Sequence, residues 1–155
     1  MRMIKKAVSF VLLSNVRIRF YVKMLLKLKK KNKHRFTQLL IQEHLRKKYH
    51  LLIGQNAVIG SIILPHPHNV CIGREAQIGD NCTLYHDVSI GLYQNQFPKI
   101  GNNVTIYMGA RVFGGVTVGD NAVIGANSVV TSDVPPNAIV AGVPARVLKY
   151  RTDIQ

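Results

Sequence analysis

An aliphatic residue recurs at every sixth position through most of the second half of this chain, and few folds accept that beat. The run is Ile72, Ile78, Leu84, Ile90, then Ile100, Ile106, Val112, Val118, Ile124 and Val130. Glycine follows it at Gly73, Gly79, Gly91, Gly101, Gly119 and Gly125. Four places after the aliphatic comes a compact residue: Ala76, Cys82, Val88, Val104, Ala110, Val116, Ala122 and Ser128. Helices repeat at 3.6 and half-buried strands at 2, so neither explains the period. Six is the beat of a coil of short strands whose stacked turns set aliphatic on aliphatic and small on small. Glycine beside the buried position is expected to permit the tight corners between flat faces.

The chain has 155 residues, room for one domain with an appendage. Its charge is divided unevenly. Residues 1–50 hold fifteen Lys/Arg and one acid, Glu43, a net of +14, while residues 51–155 hold six of each. The expected division is a basic helical segment over 1–50, a coil over 51–149 and a tail over 150–155. Ala7 to Val16 is apolar behind Arg2, Lys5 and Lys6, but Arg17, Arg19 and Lys23 follow in place of a small-residue cleavage site. The stretch is also too short to span a bilayer. From Val16 to Leu28 apolar residues mix with cations as in an amphipathic helix. The basic run Lys27–Arg35 then precedes a second helical candidate, Phe36–Tyr49. Two compatible readings follow: a helix pair resting on an anionic membrane through residues 1–35, and a helical cap on the coil or on a sister subunit. No nucleic-acid motif accompanies the charge, so nucleic acid is not an expected partner. Cys82 sits in an inward slot, which favours a buried free thiol over a disulfide with Cys71. The expected location is the cytoplasm, at the inner face of the membrane.

Two breaks in phase stand out. Ile59 to Ile72 is 13 residues where two repeats give 12, and the slip contains Leu64-Pro65-His66-Pro67-His68-Asn69. Ile90 to Ile100 is 10 residues where six are expected, so four extra residues leave the wall within Leu92-Tyr93-Gln94-Asn95-Gln96-Phe97-Pro98-Lys99. A coil tolerates insertions only at corners, and binding residues collect on such loops.

The hexapeptide rows, the histidine-bearing slip, Phe97-Pro98-Lys99-Ile100-Gly101, Asp133-Val134-Pro135-Pro136-Asn137 and Ala141-Gly142-Val143-Pro144-Ala145-Arg146 together resemble the left-handed β-helix acyltransferases. The similarity is to the serine acetyltransferase-like branch, which includes O-acetyltransferases of surface polysaccharide synthesis. It covers roughly residues 52–149. Left-handedness comes from the resemblance, since the general crossover rule favours the right hand. The resemblance implies a mainly β protein, a left-handed parallel β-helix behind a short helical segment. It implies a homotrimer with active sites in the clefts between copies, acetyl-CoA as cosubstrate with no permanently bound cofactor, and a histidine general base.

Leu64-Pro65-His66 before Val70-Cys71-Ile72-Gly73 aligns His66 with the family's catalytic histidine. A hydroxyl attacks a thioester poorly unless its proton is removed as the bond forms, and imidazole suits that task at cellular pH. His68, His86, Asp87, Gln94, Gln96 and Phe97 are candidates for contacting the acceptor or supporting the base. Backbone amides near Gly91 and Leu92 are candidates for facing the thioester oxygen. Met108, Gly109 and Ala126 would border the pantetheine arm, and Arg146 and Lys149 would meet the CoA phosphates.

Departures from the serine acetyltransferase pattern lie on the acceptor side. Where that enzyme has Asp-Ile-His-Pro, this chain has Leu52-Ile53-Gly54-Gln55, so the carboxylate that partners the base is missing. Where its loop has Asp-Arg-His-Pro-Lys-Ile, this chain has Asn95-Gln96-Phe97-Pro98-Lys99-Ile100. Gln96 cannot replace a bidentate Arg clamp on a carboxylate. The expected reaction is therefore acetyl transfer from acetyl-CoA to a hydroxyl of a sugar or glycan precursor. Serine O-acetyltransfer with a diverged acceptor site is the first alternative. A γ-carbonic-anhydrase-like metalloenzyme using His66, His68 and His86 is the second; the leading reading has no metal.

Overall fold

The computed structural model describes Tyr21, Val22, Met24, Leu25 and residues 35–152. The chain divides into two compact units, residues 1–50 and 51–155. In the first, helix α1 runs Arg35–Tyr49, and Ile41, Leu45 and Tyr49 are buried at helical spacing. Tyr21, Val22, Met24 and Leu25 are helical as well, and the Tyr21 ring lies 4.8 Å from that of His44. The carboxylate of Glu43 accepts two hydrogen bonds from Arg46, at 2.7 and 2.9 Å, with Lys47 Nζ 3.4 Å away. The Arg46 hydrogen bond, with Lys47 beside it, holds the carboxyl down at about 2. The apolar stretch Ala7–Val16 and, apart from the Arg35 backbone, the basic run Lys27–Arg35 lie outside the described residues. Among the described residues no helix is long and apolar enough to cross a membrane.

The second unit is a coil of two- and three-residue strands. Its first turn holds β1 (Leu52–Ile53), β2 (Val58–Ile59) and β3 (Ile62–Ile63). The second holds β4 (Cys71–Ile72), β5 (Gln77–Ile78) and β6 (Cys82–Leu84), and the third β7 (Ser89–Gly91), β8 (Lys99–Ile100) and β9 (Thr105–Ile106). The fourth holds β10 (Arg111–Phe113), β11 (Thr117–Val118) and β12 (Val123–Ile124). β13 (Val129–Val130) and β14 (Ala138–Gly142) complete the last turn, and β15 (Ala145–Tyr150) folds back antiparallel on β14. Three faces result: β1-β4-β7-β10-β13, β2-β5-β8-β11 and β3-β6-β9-β12-β14-β15. Every ladder but the last is parallel, giving the β-helix that the hexapeptide period implies, left-handed as the resemblance led one to expect.

Each face contributes one aliphatic column to the core. Ile53, Ile72, Ile90, Val112 and Val130 line the first face, Ile78, Ile100, Val118 and Val134 the second, and Leu64, Leu84, Ile106, Ile124 and Val140 the third, all buried. The compact residues expected inside are inside: Ala76, Cys82, Val88, Val104, Ala110, Val116, Ala122 and Ser128 are buried. The register resolves the slip of 13 residues. Ile62 pairs with Cys82 and Ile63 with Thr83, which makes Leu64 the inward residue. Ile59 to Leu64 is thus one residue short, and the corner from Leu64 to Ile72 is two residues long.

The glycines act differently from expectation. Gly73, Gly79, Gly91, Gly101, Gly119 and Gly125 all lack left-handed φ; that conformation is taken by Asn69, Asn81, Asp87, Asn103, Gly109, Asn121, Asn127 and Asn137. Asn tolerates the left-handed region better than other residues with a Cβ, and here its side chain adds a bond to the next turn. Asn103 Nδ2 donates to Asn121 Oδ1 at 3.1 Å, and Asn121 Nδ2 to Asn137 Oδ1 at 3.0 Å. Glycine instead supplies room: a Cβ on Gly79 would sit 2.7 Å from the Gly101 carbonyl oxygen.

Replacing a column residue should be costly. Ile106→Ala is expected to lose about 2–5 kcal/mol, the range for emptying a packed aliphatic site, as measured by urea denaturation. Burial pushes both thiols up, and the Cys82 Sγ donates to the Gly101 carbonyl at 3.0 Å. Cys82 should therefore be alkylated by iodoacetamide only as the coil unfolds, and Cys71 more slowly than a free thiol.

Candidate active site

Two places after the buried aliphatic of the third face, successive turns carry His66, His86, Met108 and Ala126. The repeat itself brings these residues into one column at the corner between third and first faces. The His66 ring lies 6.0 Å from the His86 ring, edge-on, and 6.4 Å from the Tyr85 ring. Tyr85 and Tyr107 occupy the adjoining column and stack 5.1 Å apart.

The long corner that bears His66 is stiff. Pro65 and Pro67 fix their own φ, and Pro67 pushes the residue before it toward extended backbone. The His68 N–H donates to the His66 carbonyl at 2.8 Å, and the Asp87 N–H to the His68 carbonyl at 3.1 Å. Pro67 is buried while the His66 side chain is exposed. At the far end Asn69, in left-handed φ, donates to Asp87 Oδ1 at 2.7 Å. One turn on, the Gly109 N–H donates to the His86 carbonyl at 3.1 Å, so Gly109 joins the same corner. Asp87 thus holds the exit of the histidine corner in its own chain. Its other oxygen is 3.9 Å from His86 Nε2, beyond hydrogen-bond distance. Among the described residues no carboxylate pairs with His66, and no group of three His, Cys, Asp or Glu is arranged to hold a metal ion.

Gly91, Leu92, Gln94, Gln96 and Phe97 collect one corner further along the coil, past the first face. Tyr93 and Gln96 exchange two backbone hydrogen bonds at 3.1 and 3.0 Å across Gln94 and Asn95, both in left-handed φ. This is a two-residue hairpin, whose twist suits antiparallel strands. It lies flat on its own wall. A Cβ on Gly115 would be 2.8 Å from Gln96 Cδ, and one on Gly73 would be 2.8 Å from Phe97 Cε1. Phe113 covers Gly91 in the same way, at 2.9 Å. Gln94 is left at the exposed tip. Within one chain, then, His66, His86, Asp87, Met108, Gly109 and Ala126 share a corner, and the hairpin group does not reach it by sequence register.

Lys149 lines a pocket of about 500 Å³ on the outer side of the third face, with Thr105, Tyr107, Val123, Ile139, Tyr150, Arg151 and Thr152. Arg146 is elsewhere, its Nη1 donating to the Ala145 carbonyl at 2.9 Å. Sequence reasoning missed Arg151, Tyr85 and Tyr107. Alternation along β15 puts residues 149 and 151 on one side, and the two tyrosines follow the aliphatic where other rows carry glycine. Both signals were available. Tyr107 connects the pocket to the histidine corner through its stack on Tyr85.

Comparison with known proteins fits this geometry. The bacterial transferase hexapeptide family (six repeats) matches residues 97–132. The serine acetyltransferase of Mycobacterium tuberculosis is 41% identical over 101 residues, 62% of this chain and 44% of that protein. A serine acetyltransferase solved in complex with CoA superimposes with a TM-score of 0.73 at 30% identity, over 83% of this chain and 54% of that one. The Neisseria gonorrhoeae serine acetyltransferase solved in complex with serine gives 0.74 at 30% identity, over 83% and 54%. The coil resembles the hexapeptide-repeat acyltransferases. Within that class its likeness is to the serine acetyltransferases, and the chain spans about half the length of the relatives it matches.

The close seat of Phe97 gives a local test. Gly73→Ala is expected to push the ring off the wall and loosen the hairpin, so trypsin should cut at Lys99 faster while the melting transition moves little.

Proposed function

We propose that the coil is an acetyl-CoA-dependent O-acetyltransferase with His66 as general base. The observation that carries this reading is an exposed imidazole on a proline-stiffened corner, at the head of the column His86, Met108 and Ala126. The acceptor hydroxyl attacks the thioester carbonyl as His66 removes its proton. Collapse of the tetrahedral intermediate breaks the C–S bond, and the imidazolium returns the proton to the departing thiolate. Gly91 and Leu92 are assigned to the developing oxyanion. Met108, Gly109 and Ala126 are assigned to the pantetheine arm. Lys149, and more weakly Arg146, are assigned to the CoA phosphates, with Arg151 now beside Lys149.

The histidine corner and the hairpin stand one face apart in a single protomer, which supports three copies with the site in the clefts between them. There Gln94, Gln96 and Phe97 of one copy would meet His66, His68, His86 and Asp87 of the next. The relatives favour L-serine as the acceptor, and the Neisseria enzyme was solved with serine. One observation favours a sugar hydroxyl instead: residues 92–98 carry no charged side chain, so nothing on the hairpin can clamp a carboxylate. The comparisons give no support to the γ-carbonic-anhydrase-like reading.

Release of CoA thiol from acetyl-CoA, measured across L-serine, simple sugars and nucleotide sugars, decides the acceptor. His66→Ala should lower kcat by about 10²–10⁴-fold, the usual share of a general base, with an unchanged melting transition. Full activity in that variant removes His66 from the role. Lys149→Ala with Arg151→Ala should raise KM for acetyl-CoA by about ten-fold or more and leave kcat nearly unchanged, as loss of ionic hydrogen bonds to a distant phosphate would.

A further inference from the structure

We propose that Tyr85 and Tyr107 form an acceptor-binding wall beside His66, one that selects a pyranose ring over an amino acid. The inference deepens the acetyltransferase reading and rests on it for the role of His66. The column that follows the buried aliphatic of the third face reads Pro65, Tyr85, Tyr107, Gly125 and Ala141. Glycine and alanine in the later turns show that the coil itself needs no large side chain there. The two rings stand in the second and third turns, next to the turn that bears His66, and they lie outside the core. Tyr85 is half-buried and Tyr107 is 38% exposed. Both are held in place before any ligand arrives. Their N–H groups donate to the Ile106 and Ile124 carbonyls, each at 3.0 Å, and their rings stack on each other at 25°. The Tyr85 ring is 6.4 Å from that of His66 and tilted by 45° to it.

The chemistry of the wall selects its occupant. A pyranose has a face of C–H groups and a rim of hydroxyls. Its face rests on an aromatic ring while its rim stays free for polar partners, and tyrosine adds a hydroxyl of its own. A sugar lying against Tyr85 turns rim hydroxyls toward His66, and the one to be deprotonated must come within about 2.6–3.2 Å of the imidazole. Rings already fixed by the ladder and by their stack lose little freedom on binding, so the contact is worth more. L-serine has no such face, and it carries a carboxylate that tyrosine cannot clamp. Beyond Tyr107 the same face continues to Val123, Ile139 and Lys149, the pocket assigned to the donor phosphates. The acceptor therefore belongs on the Tyr85 side, between that pocket and the base.

The test is saturation-transfer NMR on the full chain with the methyl pyranosides of glucose, galactose and N-acetylglucosamine, and with L-serine. Irradiating the aromatic protons should pass saturation to the ring C–H protons of at least one sugar and not to serine. Y85A should weaken that binding by about ten-fold or more, as loss of an apolar contact in a specificity site does. Y107A should weaken it less, and Y85F, which keeps the ring, should retain it. In turnover, Y85A should raise KM for the same sugar far more than KM for acetyl-CoA. The melting transition of each variant reports folding in the same sample. No transfer to any of the three sugars overturns the proposal, as does undiminished transfer in Y85A. A fall in solution mass by light scattering in Y85A also overturns it and makes the rings a contact between copies. Binding needs no turnover, so a chain that releases no thiol with any acceptor loses the acetyltransferase reading by a separate result.

Discussion

Each turn of this coil is too short to be stable alone, and the structure depends on that fact. A two-residue strand forms its ladder bonds only with the turns above and below, and buries its single aliphatic only in a core that stacked turns build. Stacking in register is therefore obligatory. Once register is fixed, a residue's place in the six-residue repeat decides whether it faces the core, the wall or a corner. His66, His86, Met108 and Ala126 form a column for the same reason that Leu64, Leu84, Ile106 and Ile124 do. The candidate site is a by-product of core packing, displaced two residues outward.

Corners carry the remaining burden. Polar backbone leaves the ladders there, and at two of the three edges left-handed φ turns the chain. Asparagine supplies the conformation and also a side-chain amide that bonds the neighbouring corner, so the edge between second and third faces is laced from turn to turn. At the histidine corner the lacing pair is Asn69 and Asp87. That pair is structural in its bonding yet adjoins the proposed base, so scaffold and chemistry share one edge. The short first turn and the long corner after Leu64 offset each other within one residue, which keeps the coils above and below in phase.

The fold was legible because a buried column shows itself as a period. Ten aliphatics in step named the faces, and the compact slots named the second inward layer; both are where burial places them. Corners were read less well. Glycine was credited with turning the chain because its freedom is well known, but Asn81, Asn103, Asn121 and Asn137 do so, and their shared place, three after the aliphatic of the second face, was overlooked. The net slip of one residue concealed a deletion and an insertion of opposite sign, which only the pairing of Ile62 with Cys82 separates. His66 was found because it interrupts the repeat. Tyr85 and Tyr107 were passed over because, though they replace glycine, they leave the six-residue period intact, and Arg151 because it follows the last motif.

The two halves of the proposed acetyl-transfer site are unequally constrained by such a scaffold. Met108, Gly109 and Ala126 belong to columns set by the repeat, so any chain that keeps the coil keeps a donor edge of similar shape. The hairpin of residues 92–97 is an insertion, anchored by Tyr93, Gln96 and Phe97 lying on the wall, and its tip can change without disturbing a single ladder. Identity spread over about a hundred residues of coil therefore bears strongly on the scaffold and on the proposed thioester side. It bears weakly on the acceptor, whose recognition rests on a few tip residues. Gln94 and Asn95 at that tip are neutral, and no nearby cation on the hairpin compensates. A carboxylate acceptor would need its positive partner from another copy or another loop, whereas a polyol would find its hydrogen-bonding groups already in place.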